Sequence, residues 1–207
     1  MNLSSKCRLC KAEGQKLYLK GDRCYSSKCP LEKRGAVKPG IHGLKTSGKI
    51  TDYARQLRAK QKVKRIYGLN ETQFKNLYFR AKKMTGLVGN NLLLLLERRL
   101  DNIVLLAGLA PSRVAARQII GHGHIRVDKN TLTIPSYPVK QNQQISLSTS
   151  YKKTHGALLK IQEKDFNPPV WIKADKVNLT VSVKTLPLPQ DVGQGVDINQ
   201  VIEYYSR

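Results

Sequence analysis

A chain of 207 residues carrying 37 lysines and arginines against 14 acidic residues, a formal net charge of +23, can bury one sizeable core or two small ones and implies a polyanionic partner. Its apolar runs stop short of the ~18 residues needed to cross a bilayer, since Leu92 to Leu96 gives way at once to Glu97, Arg98 and Arg99. The amino terminus lacks the apolar stretch of a secretory signal, so the expected location is the cytosol, where thiols stay reduced. The excess charge is uneven, with 22 basic and 5 acidic residues in 1–90 against 15 and 9 in 91–207. An anionic membrane surface or a merely solvated basic domain are the rivals to a nucleic-acid partner.

Cys7 and Cys10 have two residues between them, Cys24 and Cys29 four, and 13 residues separate the pairs. Two short-spaced thiolate pairs on such a loop can close a tetrahedron around structural Zn2+ and leave no position open for a substrate. Lys6, Arg8, Lys11 and Lys28 are expected to favour the thiolates. Two disulfides would require an oxidising compartment, and an iron–sulfur cluster uses the same ligands. Residues 30–50 combine Pro30, Gly35, Pro39, Gly40, Gly43 and Gly48 with many cations, which reads as an extended connector laid along phosphates or as a disordered linker.

From Thr51, Tyr53, Leu57, Val63, Ile66 and Tyr67 recur at near-helical intervals among basic residues. Gly68 interrupts, and Asn70 can cap a second helix to Lys83 with Phe74, Leu77, Tyr78 and Ala81 inward. Leu92, Leu96, Leu100, Ile103 and Ala107 share one face of a buried helix that Gly108 ends. Ser112 then starts a helix running to about Ile120, with Val114, Ala115 and Ile119 inward and Arg113 and Arg117 outward on one face. Gly121 and Gly123 allow a tight turn, and Ile125, Arg126 and Val127 alternate as a half-buried strand. Arg113, Arg117, Gln118, His122, His124 and Arg126 are expected to form one polar cluster.

Further strands are expected at 131–134, 136–139, 144–148, from Trp171 and at 177–183, with Val177, Leu179, Val181 and Val183 on one face. They make a sheet of about five strands, mostly antiparallel because the connections are short. Tyr151 to Gln162 is weakly helical. The acidic closing segment, Asp191 to Arg207, contains a short helix without a cationic face, expected to pack on the amino-terminal helices or on a partner protein. The fold class is α+β.

The RLDN at Arg99, SRxxARQ at Ser112 and GHIxV at Gly123 resemble the small RNA-binding module named after ribosomal protein S-four, which several RNA enzymes also carry. The flanks narrow this: CRLC with RCYSSKC, PGIHG at Pro39, DYARQLRAKQKVKRIYG at Asp52, LLLLLERRLDN at Leu92 and INQVIEYYSR at Ile198. In that order the chain resembles the bacterial-type ribosomal protein S-four family over nearly its whole length. The resemblance implies a zinc knuckle and basic extension over 1–45. It implies a helical domain over 46–91, completed by the helix of 191–207, and the RNA module with its sheet over 92–190. It also implies direct binding of 16S-type small-subunit rRNA in the 5′ domain, early nucleation of assembly, neighbours S-five and S-three, and a place beside the path by which mRNA enters, with influence on translational accuracy. No turnover, membrane or small-molecule substrate is implied.

The expected RNA contacts are Arg34, His42, Lys45, Arg55, Arg58, Lys62, Arg65, Arg80, Lys83, Arg99, Arg113, Arg117, Gln118, His122, His124 and Arg126. In the turn after Val127, Asn130 is expected to supply the positive φ. A pseudouridine synthase shares the module and an Arg-Leu-Asp setting, matched by Arg99 to Asp101, but no segment remains long enough for its catalytic domain. A zinc-finger regulator would need a helix reading base edges, whereas the cations here are spread over several elements, as shape and phosphate recognition of folded RNA requires.

Overall fold

The computed structural model describes residues 5–43, 49–156, 159–163, 166–188 and 196–206. Helix α1, Lys6–Glu13, ends because Gly14 adopts φ 69°, which turns the chain so that backbone N–H groups reach back to the Cys10 and Lys11 carbonyls. A single 3-10 turn at Gly21–Cys24 leads to α2, Pro30–Arg34, where Pro30 occupies the first turn that needs no N–H. The stretch expected as extended connector thus begins as a helix. Helix α3, Asp52–Ile66, is capped by the Thr51 hydroxyl, which accepts the Ala54 N–H at 3.3 Å. Asn70 and Gln73 exchange side-chain-to-backbone hydrogen bonds of 2.7 and 3.3 Å, a reciprocal box that opens α4, Glu71–Lys83.

The chain divides into two compact units, Met1–Phe74 with Gln194–Arg207, and Lys75–Gly193; the division falls inside α4. In the first unit α9, Ile198–Ser206, returns along α3, as one of the two expectations for the closing segment held. Val201 is buried, Gln56 donates to Glu203 at 2.9 Å, and Tyr53 and Tyr204 meet at 5.9 Å between ring centroids. Tyr53 is consequently half exposed rather than a core residue. Lys60, only 4 % exposed, lies 4.3 Å from the Tyr204 ring centroid and 2.7 Å from Glu71. Glu71 also takes Lys64 at 2.8 Å and the Tyr205 hydroxyl at 2.9 Å. Helix α1 is tied to α3 through Glu13, which pairs with Arg58 at 3.3 Å and with Arg65.

Desolvation works to raise the Glu71 carboxyl, yet hydrogen bonds from Lys60, Lys64 and Tyr205 outweigh it and hold the pKa at about 2, below the ordinary 4.5. A depressed carboxylate stabilises the fold fully above its unfolded-state value and loses that stabilisation as pH falls through the folded value. Between pH 4.5 and about 2, the chain is therefore expected to lose stability that Glu71→Gln already lacks. Because this carboxylate is nearly half exposed, screening limits the increment to about 1 kcal/mol. Urea midpoints of both proteins across that pH range measure it.

The second unit holds the rest of α4, then α5, Val88–Glu97, α6, Leu100–Leu106, and α7, Arg113–Gly121. The single leucine-rich helix expected through Ala107 is in fact two. Arg99 is extended, with ψ 137°, and bridges Pro138, while the Leu100 and Asp101 N–H groups bond to the Tyr137 and Pro135 carbonyls. That segment thus satisfies N–H groups which a continuous helix would have used itself. Asn91 spans the earlier break, its side-chain amide donating to the Ala81, Met84 and Thr85 carbonyls that close α4. Ser112 caps α7 by accepting the Ala115 N–H at 3.2 Å, but Val114 faces outward and Ala116 takes the buried place.

The sheet is antiparallel throughout, in the order β2-β1-β3-β5-β4, from β1 Ile125–Val127, β2 Asn130–Thr131, β3 Gln144–Leu147, β4 Ile172–Asp175 and β5 Thr180–Val183. Val127 pairs with Asn130, so the positive φ falls on Asp128, at 56°, and not on Asn130. The strand expected at 136–139 is a single bridge and that at 131–134 stops at Thr131, because Pro135 and Pro138 have no N–H to continue a ladder. Val177 is 90 % exposed: the Asp175 carboxylate accepts the Val177 and Asn178 N–H groups and turns the chain before β5 begins. Helix α8, Thr149–His155, is shorter than expected, and a 3-10 turn follows at Lys160–Gln162; Ala157 and Leu158 lie outside the described residues. Trp171, Ile103, Ile120, Ile125, Ile145, Ile161 and Val181 form one core between α6, α7 and the sheet.

Candidate nucleic-acid interface

The RLDN segment folds into a buried polar hub. Asp101, 1 % exposed, takes Arg99 Nε at 3.0 Å and Nη2 at 2.9 Å, and Arg117 Nε at 2.7 Å. Asn102 next to it accepts Arg113 Nε at 3.0 Å and Nη2 at 2.7 Å and donates to the buried Glu97 carboxylate at 2.7 Å. The outward pointing expected of Arg113 and Arg117 is therefore corrected: both lean back onto α6 and are half-buried. Two acceptors at the start of α6 fix both guanidiniums, and fixed cations lose little entropy when they meet a phosphate. Arg99, expected as a contact, is 7 % exposed and spent on Asp101, so it shapes the hub instead.

The expected single cluster is split. Gln118, His122 and His124 stand with Tyr151 and His155 around a cavity of about 380 Å3 that includes neither Arg113 nor Arg117. Arg126 lies on the exposed position of β1, opposite Thr131 and Ser146. Arg80 and Lys83 are exposed on α4. In the first unit Arg55, Arg58 and Lys62 line a cavity of about 500 Å3 together with Glu13 and Asp197, while Arg65 turns to Glu13. Arg34 and His42 are exposed, and Lys45 lies outside the described residues. Periodicity gave no sign that Lys60, one of the basic residues between the apolar positions of α3, is buried, nor of Tyr151 and His155 beside His122 and His124.

Cys7, Cys10, Cys24 and Cys29 all border one cavity of about 20 Å3, with Lys16, Lys20 and Arg23 rather than the four cations expected. The thiols are free, and Cys24 Sγ accepts the Lys20 N–H at 3.4 Å. Burial pushes the Cys10 thiol up, a backbone hydrogen bond at Leu17 opposes this, and charge on Cys24, Cys7 and Cys29 adds to the rise. Among the described residues no three His, Cys, Asp or Glu side chains already stand as a metal-holding group. The donor set nonetheless fits zinc: four thiols face a space of about one ion or water.

No helix among the described residues is long and apolar enough to cross a membrane. The family model described as "Ribosomal protein S4/S9 N-terminal domain" matches residues 2–97, and that described as "S4 domain" matches 98–145. The chain is similar to three proteins named "Small ribosomal subunit protein uS4". That of Halothermothrix orenii is 45 % identical over 203 residues, covering 97 % of this chain and 96 % of the relative. That of Desulfotalea psychrophila is 44 % identical over 207 residues, covering 100 % and 98 %, and that of Clostridioides difficile is 44 % identical over 201 residues, covering 97 % and 96 %.

Proposed function

The chain belongs to the ribosomal protein S4 family, a structural and non-enzymatic family of the small ribosomal subunit, and from that premise we propose how it serves there. It is a constituent of the cytoplasmic ribosome that binds small-subunit rRNA. Its target is the 5′ domain of 16S-type rRNA, which it grips early and so nucleates assembly of the subunit body. Its neighbours are ribosomal proteins S5 and S3, and its position beside the path by which mRNA enters lets it influence accuracy. The observation that carries the rRNA reading is the hub: within the matched S4 domain, Asp101 and Asn102 hold Arg117 and Arg113 in fixed directions. Exposed Arg80, Lys83 and Arg126 in the same unit supply phosphate contacts around it.

Filter binding to the rRNA 5′ domain, to duplex DNA and to an unrelated structured RNA tests this reading. Selective binding of the first is the expected result; equal affinity for all three reduces the protein to a generic polyanion binder.

Cys7, Cys10, Cys24 and Cys29 hold a structural zinc ion that organises α1 and α2 and opens no site for catalysis. Their convergence on one small cavity supports this. Zinc would supply the folding energy that so short and polar a segment lacks. Elemental analysis is expected to give about one zinc per chain, lost in Cys24→Ser together with helical signal from the first unit. Iron with visible absorption, or no metal in a fully reduced and folded chain, overturns it.

A further inference from the structure

Four rings stand in file beside α7, away from the Asp101 hub. His122 and His124 are parallel to within 6° at 6.1 Å between centroids, His124 and Tyr151 stack at 4.8 Å, and Tyr151 and His155 stack at 4.4 Å. Centroid separations of this size are those of attractive aromatic pairs. The file is built from two elements: the turn after α7 carries the first two rings and α8 the last two. Ser148 accepts the Tyr151 N–H at 3.4 Å and so fixes where α8 starts.

These rings are not core. Tyr151 packs against the hydrophobic cluster from its edge, while His122 and His155 are exposed. Beside them lies a cavity of about 380 Å3, lined also by Pro111, Ala115, Gln118 and Ile119. Its lining is aromatic and aliphatic with one amide, and it contains no carboxylate. A cationic ligand finds no carboxylate to pair with there. A flat, uncharged heteroaromatic ring gains stacking on its face, and the Gln118 amide offers both a donor and an acceptor to its edge.

We propose that this recess takes an unpaired nucleobase of RNA, stacked on His155 at the end of the file, whose inner face Tyr151 already holds, and read at its edge by Gln118. The site rests on the RNA-binding reading and adds to it a contact that depends on bases as well as on phosphates. It grips a splayed-out nucleotide, whereas the hub and the exposed cations grip the backbone.

The test compares hexaadenylate with an abasic ribose–phosphate hexamer, titrated against the full chain. Loss of one stacked base lowers affinity about 5- to 150-fold. Tyr151→Leu and His155→Leu are each expected to show that loss for hexaadenylate and none for the abasic strand, while Tyr151→Phe, which keeps the ring face, binds as wild type. His155 is exposed, so His155→Leu reads the site even if Tyr151→Leu folds poorly. The proposal is overturned if wild type does not prefer hexaadenylate to the abasic strand, or if both leucine variants bind hexaadenylate normally. It is overturned equally if they lose the two strands alike. Binding of the rRNA 5′ domain is measured in parallel: retained with no base preference, it defeats the recess alone; lost as well, it defeats the RNA reading beneath it.

Discussion

Replacing Asp101 with alanine is expected to lower stability by about 3–5 kcal/mol, the usual cost of removing one member of a buried charge cluster. The carboxylate is 1 % exposed and receives three guanidinium hydrogen bonds from Arg99 and Arg117. Alanine leaves Arg99 buried and uncompensated, and the penalty comes from that stranded cation more than from the lost attraction. Asp101→Asn keeps the shape but not the charge and belongs between wild type and alanine. Replacing Arg99, Asp101 and Arg117 together by apolar residues of similar volume should recover most of the stability while still impairing RNA binding. Urea midpoints read the first effect and filter binding the second; an unchanged midpoint for Asp101→Ala would mean that the hub contributes no stability.

The largest effect on function is expected from salt. A protein that neutralises about 6–10 phosphates loses roughly 10³- to 10⁵-fold in affinity between about 50 and 200 mM salt, and a net charge of +23 makes that range reachable. Individual cations divide into two kinds. Arg80 and Lys83 are exposed on α4, so changing both to alanine should flatten the slope of log affinity against log salt by about 1.4–1.8 and leave the urea midpoint in place. Changing Arg113 and Arg117 to alanine should alter both, because each also ties α7 to α6. An unchanged rRNA affinity and slope in that second pair would remove the hub from the interface.

Local chemistry made part of this legible in the sequence. Ser112, Thr51 and Asn70 each cap the helix they were expected to start, because a cap depends on residues three positions away. Alternation located β1 and β5 for the same reason, though it began β5 three residues early. What escaped depends on partners far along the chain. The break at Arg99 is made by Tyr137 and Pro135, and the inward turn of Arg117 is made by a carboxylate 16 residues earlier. Lys60 looks like any surface lysine until Glu71, Tyr204 and Tyr205 surround it. The cysteines were recognisable as a set, but the cations beside them were chosen by how residues 14–30 fold and not by adjacency in sequence.

The return of α9 to α3 sets an order of events during synthesis. Lys75–Gly193 is one uninterrupted stretch, so its sheet and hub can form while the ribosome is still translating. The unit before it is discontinuous: Val201, Glu203, Tyr204 and Tyr205 complete the environment of Gln56, Lys60 and Glu71, and they emerge only after everything between has been made. Domains fold as units and from the amino terminus when they can, but here the first segment must wait for the last. A premature stop codon between residues 194 and 198 would yield a chain whose sheet-bearing part folds normally and whose strongly basic α3 lacks its cover. Such a product would be a target for quality-control proteases and a competitor for RNA.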